Sequence, residues 1–172
     1  MERLIDEFLD FARGASEGEA KPVDPVALVS LIVDDMRRAE RDVTLFLAEG
    51  EGTVALRKAG IRRAVEHLIN NAVRSGTRAE VSVLLTDKSL RIRVEDDGPG
   101  IPAENLEAVF ERFYTERPAG TAFGTHSGLG LAISRQIIKA HGGRVRASNR
   151  LDATGACLGA RFTVELPAAP AG

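Results

Sequence analysis

The chain has 172 residues, 44% of them hydrophobic and 28% charged, a balance that fits one globular domain with a proper core and excludes a disordered, collagenous or membrane-embedded chain. Its 25 acidic and 23 basic residues give a formal net charge of −2, without the basic excess of a nucleic-acid binder, so no nucleic-acid partner is expected. No run of 18 apolar residues occurs, so no membrane crossing or direct membrane contact is expected in this part, and the single cysteine, Cys157, excludes an internal disulfide and is expected as a small buried residue.

Leu4, Ile5, Phe8, Leu9, Phe11 and Ala12 stand at helical spacing between charged residues, which predicts a short amphipathic helix over 1–13, followed by a linker over 14–21. Asp24 before Pro25 predicts a helix start, with N-cap and first helical position filled by favoured residues, and the helix runs through Val26–Arg41. Val43–Leu47 and Thr53–Leu56 read as a small strand pair about Glu-Gly-Glu-Gly, and helical period returns over Ile61–Ser75. Val81–Thr86 and Leu90–Glu95 alternate about Asp87-Lys88-Ser89 as a hairpin. A short helix around Glu104–Phe113, a mobile loop over Thr115–Ser127 and a helix over Leu129–Ala140 follow. His141-Gly142-Gly143 ends that helix as a glycine cap should, Arg144–Ser148 and Ala160–Leu166 read as closing strands, and 168–172 read as a frayed tail.

Three features carry chemistry, in this order: Asn71-Ala72 on a helix, the acidic glycine turn Glu95-Asp96-Asp97-Gly98-Pro99-Gly100, and Gly124-Thr125-His126-Ser127-Gly128-Leu129-Gly130 opening a helix. The Asn71 amide oxygen suits a hard metal ion, the alternative being an amide satisfied by solvent or core. Asp96 follows a strand directly and can accept a hydrogen bond from an exocyclic amine in a pocket, the alternative being a plain turn carboxylate. Glycines before a helix expose backbone N–H groups to phosphate, although such turns also occur without a ligand.

Together with Phe110-Glu111-Arg112-Phe113-Tyr114 and Ser127-Gly128-Leu129-Gly130-Leu131-Ala132-Ile133, the ordered set resembles the catalytic, ATP-binding domain of two-component sensor histidine kinases over residues 22–167. Arg63–Ser75 resembles the N box, Val94–Pro102 the G1 box, Phe110–Tyr114 the F box and Gly124–Ile133 the G2 box. Residues 1–13 are similar to the end of the second dimerisation-hairpin helix, and Ile61–Val65 with Gly76 looks most like the osmosensor subgroup.

The resemblance implies an α/β (α+β) two-layer sandwich of the Bergerat type, a mixed and mostly antiparallel sheet covered on one face by helices. It implies ATP and Mg²⁺ as cofactors. Asn71 would hold the metal, with His67, four residues earlier, as a second metal-side contact. Arg74 would reach a phosphate, with Arg112 or Arg117 at the γ-phosphate. Asp96 would receive the adenine amine, with Gly98, Gly100 and Ile101 close to the base and Tyr114 beside the nucleotide. His126, Ser127, Gly128, Leu129, Gly130 and Leu131 would border the triphosphate through lid and helix start.

Some positions depart from the pattern. His67 stands where an asparagine is usual, Ser75 replaces an aromatic that often packs on the base, Thr115 replaces an arginine, and Ala160 replaces the threonine of Leu158-Gly159-Ala160-Arg161-Phe162. None of His67, His126 and His141 is a credible phosphoacceptor. The resemblance therefore implies partners outside this chain: a phosphoacceptor hairpin of the same protein, which would form a homodimer, and a response regulator. It places the domain in the cytoplasm of a membrane-anchored bacterial sensor. Two other readings stand beside this one: an anti-sigma-type serine kinase, and a degenerate module that keeps the fold and acts by binding a partner.

Overall fold

The computed structural model describes residues 19–111 and 130–168. In chain order these form β1 (Lys21–Val23), α1 (Pro25–Arg38), β2 (Val43–Glu49), β3 (Val54–Leu56), α2 (Lys58–Ser75), β4 (Ala79–Leu85), β5 (Ser89–Asp96), two 3₁₀ turns (Ala103–Asn105 and Ala108–Phe110), α3 (Gly130–Ala140), β6 (Arg144–Leu151) and β7 (Cys157–Pro167). The main sheet has the order β2-β4-β5-β7-β6, and β1 and β3 form a separate pair. Only β2 and β4 run parallel; the other neighbours in both sheets are antiparallel. The expected mixed, mostly antiparallel sheet is the one found.

Alternation fixes which face of the sheet is covered. Val81, Val83, Leu90, Ile92, Val94, Phe162, Val164 and Leu166 point to the helix layer and are buried. Between them, Arg91, Glu95, Arg161 and Glu165 point the other way and pair in solvent-facing clusters, Glu165 with Arg91, Arg144 and Arg146, and Glu95 with Arg150 and Arg161. From the helices come Leu28, Ile32, Val33, Ile61, Val65, Leu68, Ile69, Ile133 and Ile137. The Ser134 hydroxyl, fully buried, donates to the Ala64 carbonyl at 2.9 Å and ties α3 to α2.

Helix ends follow the predicted chemistry. The Asp24 carboxylate accepts from the Ala27 N–H at 3.1 Å ahead of Pro25. Past α3, Gly142 has φ of +80°, its N–H meets the Lys139 carbonyl at 2.9 Å, and the Gly143 N–H meets the Ile138 carbonyl at 3.0 Å. That is the Schellman arrangement, and it requires the left-handed residue that glycine supplies.

Three expectations are corrected, and two boundaries shift. Val43–Leu47 and Thr53–Leu56 do not pair: β2 lies beside β4 and β3 beside β1. Gly50 passes against β4, where a Cβ would stand 2.3 Å from the Leu85 carbonyl oxygen, and Gly52 is also in the left-handed region, so 50–53 carries the chain away instead of folding it back. Over 103–110 the chain forms two 3₁₀ turns, not one helix; Phe110 is pinned edge-to-face on Phe162 at 5.8 Å. Cys157 is exposed, its thiol donating to the Pro99 carbonyl at 3.5 Å. At the margins, Lys21 opens β1 instead of ending a linker, and Ala168 is buried with its N–H on the Lys88 carbonyl at 3.1 Å. The segments 1–13, Thr115–Ser127 and the last four residues lie outside the described residues.

Candidate functional site

α2 buries Ile61, Ala64, Val65, Leu68, Ile69 and Ala72, so the helical period sets His67 and Asn71, one turn apart, on its half-buried flank. Arg74 stands exposed in the last turn. α2 stops at Gly76, where no side chain fits: a Cβ would lie 2.3 Å from Asp97 Oδ1 and 2.8 Å from the Gly98 nitrogen. A Cβ on Gly98 would in turn stand 2.5 Å from the Ser75 carbonyl oxygen. These two glycines let the end of α2 and the turn after β5 sit backbone against backbone, which brings the helix of Asn71 beside the turn of Asp96.

Asp97 fastens that junction. Its carboxylate accepts from the Thr77 and Arg78 N–H groups at 2.7 and 3.1 Å and from the Thr77 hydroxyl at 2.5 Å. The Thr77 bonds hold its pKa down at about 2.

Asp96 is the opposite case. It is 2% exposed, and Oδ1 accepts from the Gly98 and Ala160 N–H groups, both at 2.9 Å. Oδ2 is buried with no hydrogen-bond partner among the described residues. Burial is the largest influence and pushes the carboxyl above its ordinary range, against the two backbone donors, which pull it down. A buried acceptor left open in an otherwise satisfied turn can take one more donor. Ala160, which stands where the resemblance implies a threonine, contributes only its N–H.

Sequence reasoning missed the residues that hold this turn in place. Asn149 on β6 makes a two-way bridge, Oδ1 accepting from the Ile101 N–H and Nδ2 donating to the Ile101 carbonyl, each at 2.7 Å. Arg150 Nη1 donates to the Asp96 carbonyl at 2.8 Å. Gly100 has φ of +82° and room for no side chain, a Cβ falling 2.4 Å from Cys157 Sγ and 2.7 Å from Asn149 Oδ1. Gly159 is tighter still, a Cβ falling 1.9 Å from the Asp96 carbonyl oxygen. An asparagine inside a strand, where its propensity is poor, was the available signal for Asn149. Nothing local marked Arg150, because its partner lies 54 residues away.

At the other side, His67 packs under the first residue of α3: a Cβ on Gly130 would lie 3.3 Å from His67 Nδ1. Leu131 is half-buried in the same first turn. Arg135 spans Phe110 and Glu107, its guanidinium 5.4 Å from the ring centroid and 2.7 Å from Glu107 Oε1, so the Phe110 segment is fixed to α3. The structure thus places Asp96, Gly98, Gly100 and Ile101 in one turn against the end of α2, and His67 against Gly130. Arg112, Tyr114, Arg117, His126, Ser127, Gly128 and Leu129 lie outside the described residues.

No three His, Cys, Asp or Glu side chains converge as a metal centre among the described residues. The amide oxygen of Asn71 remains a hard donor of the kind that completes a shell made largely of phosphate and water oxygens. No helix of the described residues is long and apolar enough to cross a membrane.

Known proteins share the sequence pattern and the fold of this chain. The profile of the family described as histidine kinase-, DNA gyrase B- and HSP90-like ATPase matches residues 57–170. Sensor protein ChvG of Agrobacterium fabrum is 42% identical over 190 residues, taking in 98% of this chain and 31% of that protein. The signal transduction histidine-protein kinase/phosphatase MprB of Mycobacterium tuberculosis is 36% identical over 170 residues, taking in 95% of this chain and 33% of that protein. Among solved structures, that of the mycobacterial sensor histidine kinase MprB superposes with a TM-score of 0.70 at 28% identity, over 88% of this chain and 99% of that one. The chain spans about a third of the length of the curated relatives it matches. With the profile matching well over half of the chain, and sensor histidine kinases among its relatives, the chain belongs to the histidine kinase-, DNA gyrase B- and HSP90-like ATPase family.

Proposed function

We propose that this chain is the ATP-binding catalytic part of a two-component sensor histidine kinase. On this reading it binds Mg-ATP and presents the γ-phosphate to a histidine on a dimerisation hairpin, from which a response regulator takes it. The partners proposed are that hairpin, a second copy of the whole protein through it, and the regulator, with the domain on the cytoplasmic side of a membrane-anchored sensor. The observation that carries the reading is Asp96: a 2%-exposed carboxylate with one oxygen satisfied twice and the other left open. An adenine amino group is the donor that such an oxygen would take.

The residues divide the work. Asp96 orients the base, and the Gly98–Ile101 backbone lies along it. Asn71 offers its amide oxygen to the metal ion, which would neutralise phosphate charge when bound. Arg74 adds a cation at the exposed end of α2. The N–H groups at the start of α3 face the phosphates, with Gly130 and Leu131 in its first turn and His67 beneath it. Phosphoryl transfer asks a protein mainly to position and to neutralise, which is what these groups can do. For the residues outside the described set, Arg112, Arg117, Tyr114, His126, Ser127, Gly128 and Leu129, the proposed roles are those of the lid: cations and backbone donors around the triphosphate.

Calorimetric titration with a non-hydrolysable ATP analogue, with and without Mg²⁺, tests the reading. Saturable binding that strengthens with Mg²⁺, and a loss of that Mg²⁺ dependence in Asn71→Ala, are expected. No binding up to millimolar analogue overturns the proposal and leaves a module that works by binding a partner. Mg²⁺ dependence unchanged in Asn71→Ala removes the metal role of that residue alone.

A further inference from the structure

The five-stranded sheet has a second face, opposite the one that buries Asp96, and its side chains stay open to solvent. Over β4, β5, β7 and β6, alternation puts six arginines on this face against Glu80, Glu95 and Glu165, in a chain whose formal net charge is −2. The cationic excess is larger at the surface than in the count. The Arg144 and Arg146 side chains are 64% and 60% exposed, whereas Glu165 and Glu95, the anions that serve the paired arginines of these strands, are 21% and 16% exposed.

Arg93, on the central strand β5, is served by neither glutamate. Its Nε is buried without a hydrogen-bond partner, and its guanidinium has no ion pair among the described residues. In register, Arg93 stands between Ser82 on β4 and Thr163 on β7; Arg146 follows on β6, and Leu47 on β2 continues the line past Ser82. One row, Leu47-Ser82-Arg93-Thr163-Arg146, therefore crosses all five strands, about 19 Å at the usual strand spacing. It has a cationic end and an apolar end, where Leu47 is 37% exposed and Phe46, in the bulge beside it, 71%. The row on one side holds Glu80 and Glu95 and the row on the other holds Glu165, but this one contains no carboxylate.

A uniformly anionic layer, of lipid headgroups or of a nucleic-acid backbone, would meet the glutamates on either side of this row, whereas a single strip of carboxylates meets only donors. A helix laid along the row advances about 4.5 to 6 Å for every three or four residues, close to the strand spacing of about 4.8 Å, so one acidic residue per turn keeps step with the strands. We infer that this row docks an acidic amphipathic helix of a partner protein, its carboxylates on Arg93 and Arg146 and an apolar residue near one end on Leu47 and Phe46. A guanidinium takes the two oxygens of a carboxylate at once, and Arg93 is the one whose fork is unengaged on this face. The face is turned away from Asp96, so partner and nucleotide do not compete, and the inference does not depend on the nucleotide reading.

Titration of the ¹⁵N-labelled 172-residue chain with a helical peptide of about 16 residues, glutamate at every third or fourth position and leucine near one end, tests this. Saturable binding is expected, weakened roughly tenfold by Arg93→Gln with Arg146→Gln and little changed by Arg37→Gln with Arg38→Gln, which removes as much charge from the end of α1. A nitroxide at the leucine end of the peptide should broaden the amide signals of β2, and one at the other end those of β6. No saturable binding up to millimolar peptide overturns the inference. Equal losses for the two double variants mean diffuse attraction and overturn it, as does broadening that ignores which end carries the label. Phosphatidylglycerol vesicles bound more tightly than the peptide, with the same dependence on Arg93 and Arg146, would make a lipid surface the occupant and overturn it as well. Arg93 and Arg146 project from the outer face, so their substitution leaves the core in place; a wild-type pattern of core amide signals checks this, and Arg93→Gln alone, expected to weaken binding severalfold, serves if the double variant does not fold.

Discussion

Removing the side chain of Asn149 gives a sharp test of how the turn beneath Asp96 is held. Asn149→Ala deletes two hydrogen bonds of 2.7 Å and leaves the N–H and C=O of Ile101, a residue 8% exposed, without their partners. Each such bond contributes about 1 kcal/mol net, and stranding a partly buried partner adds to that, so a loss of about 2–3 kcal/mol is expected. For a domain of this size that corresponds to a fall in Tm of roughly 4–12 °C. Urea denaturation followed by far-ultraviolet circular dichroism should show the midpoint falling with an unchanged m value. Asn149→Asp keeps the acceptor for the Ile101 N–H but sets an anion against the Ile101 carbonyl, so it should not recover the loss. Because the same bridge positions the turn and not the helix of Asn71, affinity for an adenine nucleotide should drop about tenfold, equivalent to about 1.4 kcal/mol, while affinity for inorganic triphosphate holds. A stability for Asn149→Ala within about 0.5 kcal/mol of wild type would refute the reasoning, since water would then serve Ile101 as well as the amide does.

Asp96→Asn should lose nucleotide affinity yet be at least as stable as wild type at pH 7, because it removes a buried carboxylate with one oxygen open. A group whose folded pKa is raised stabilises the fold at low pH and loses that contribution as pH rises through the folded value. The gap between variant and wild type in thermal melts should therefore close on acidification; a variant less stable at every pH contradicts this. Asp97 has the reverse sign: with its folded pKa at about 2 against 3.8, its contribution is present above the ordinary carboxylate range and fades as pH falls from about 4 towards 2. Asp97→Asn should flatten that limb of the acid titration, and an unaltered limb would assign it to other carboxylates. Gly159→Ala forces a methyl into the Asp96 carbonyl and should cost about 2–4 kcal/mol, read as a lowered urea midpoint. Wild-type stability there would mean that β7 can shift without disturbing Asp96.

Relatives matched over most of this chain have about three times its length.

What the amino-acid sequence determined by itself is what depends on near neighbours. The period of α1, α2 and α3, the Asp24-Pro25 start, the Gly142-Gly143 stop and the β4–β5 hairpin all follow from interactions within a few residues, and all are present in the structure. Asp96 and Asn71 stood out for a similar reason: a carboxylate and an amide placed where local propensity does not favour them. Tertiary structure alone decided the rest. Which strand β2 joins depends on β4, some 36 residues on in the register, and short β3 had no local means of preferring β1 over β2. Whether Cys157 is buried depends on where the β6–β7 ends lie against Pro99 and Gly100. The brace on the candidate site, Asn149 on Ile101 and Arg150 and Gly159 on Asp96, is built from residues 48 to 63 positions distant, brought together by the pairing of β5 with β7 and of β7 with β6. Hydrogen bonds between groups so far apart leave no periodicity in the chain, so only the closed sheet could show that Asp96 is held still with one oxygen open.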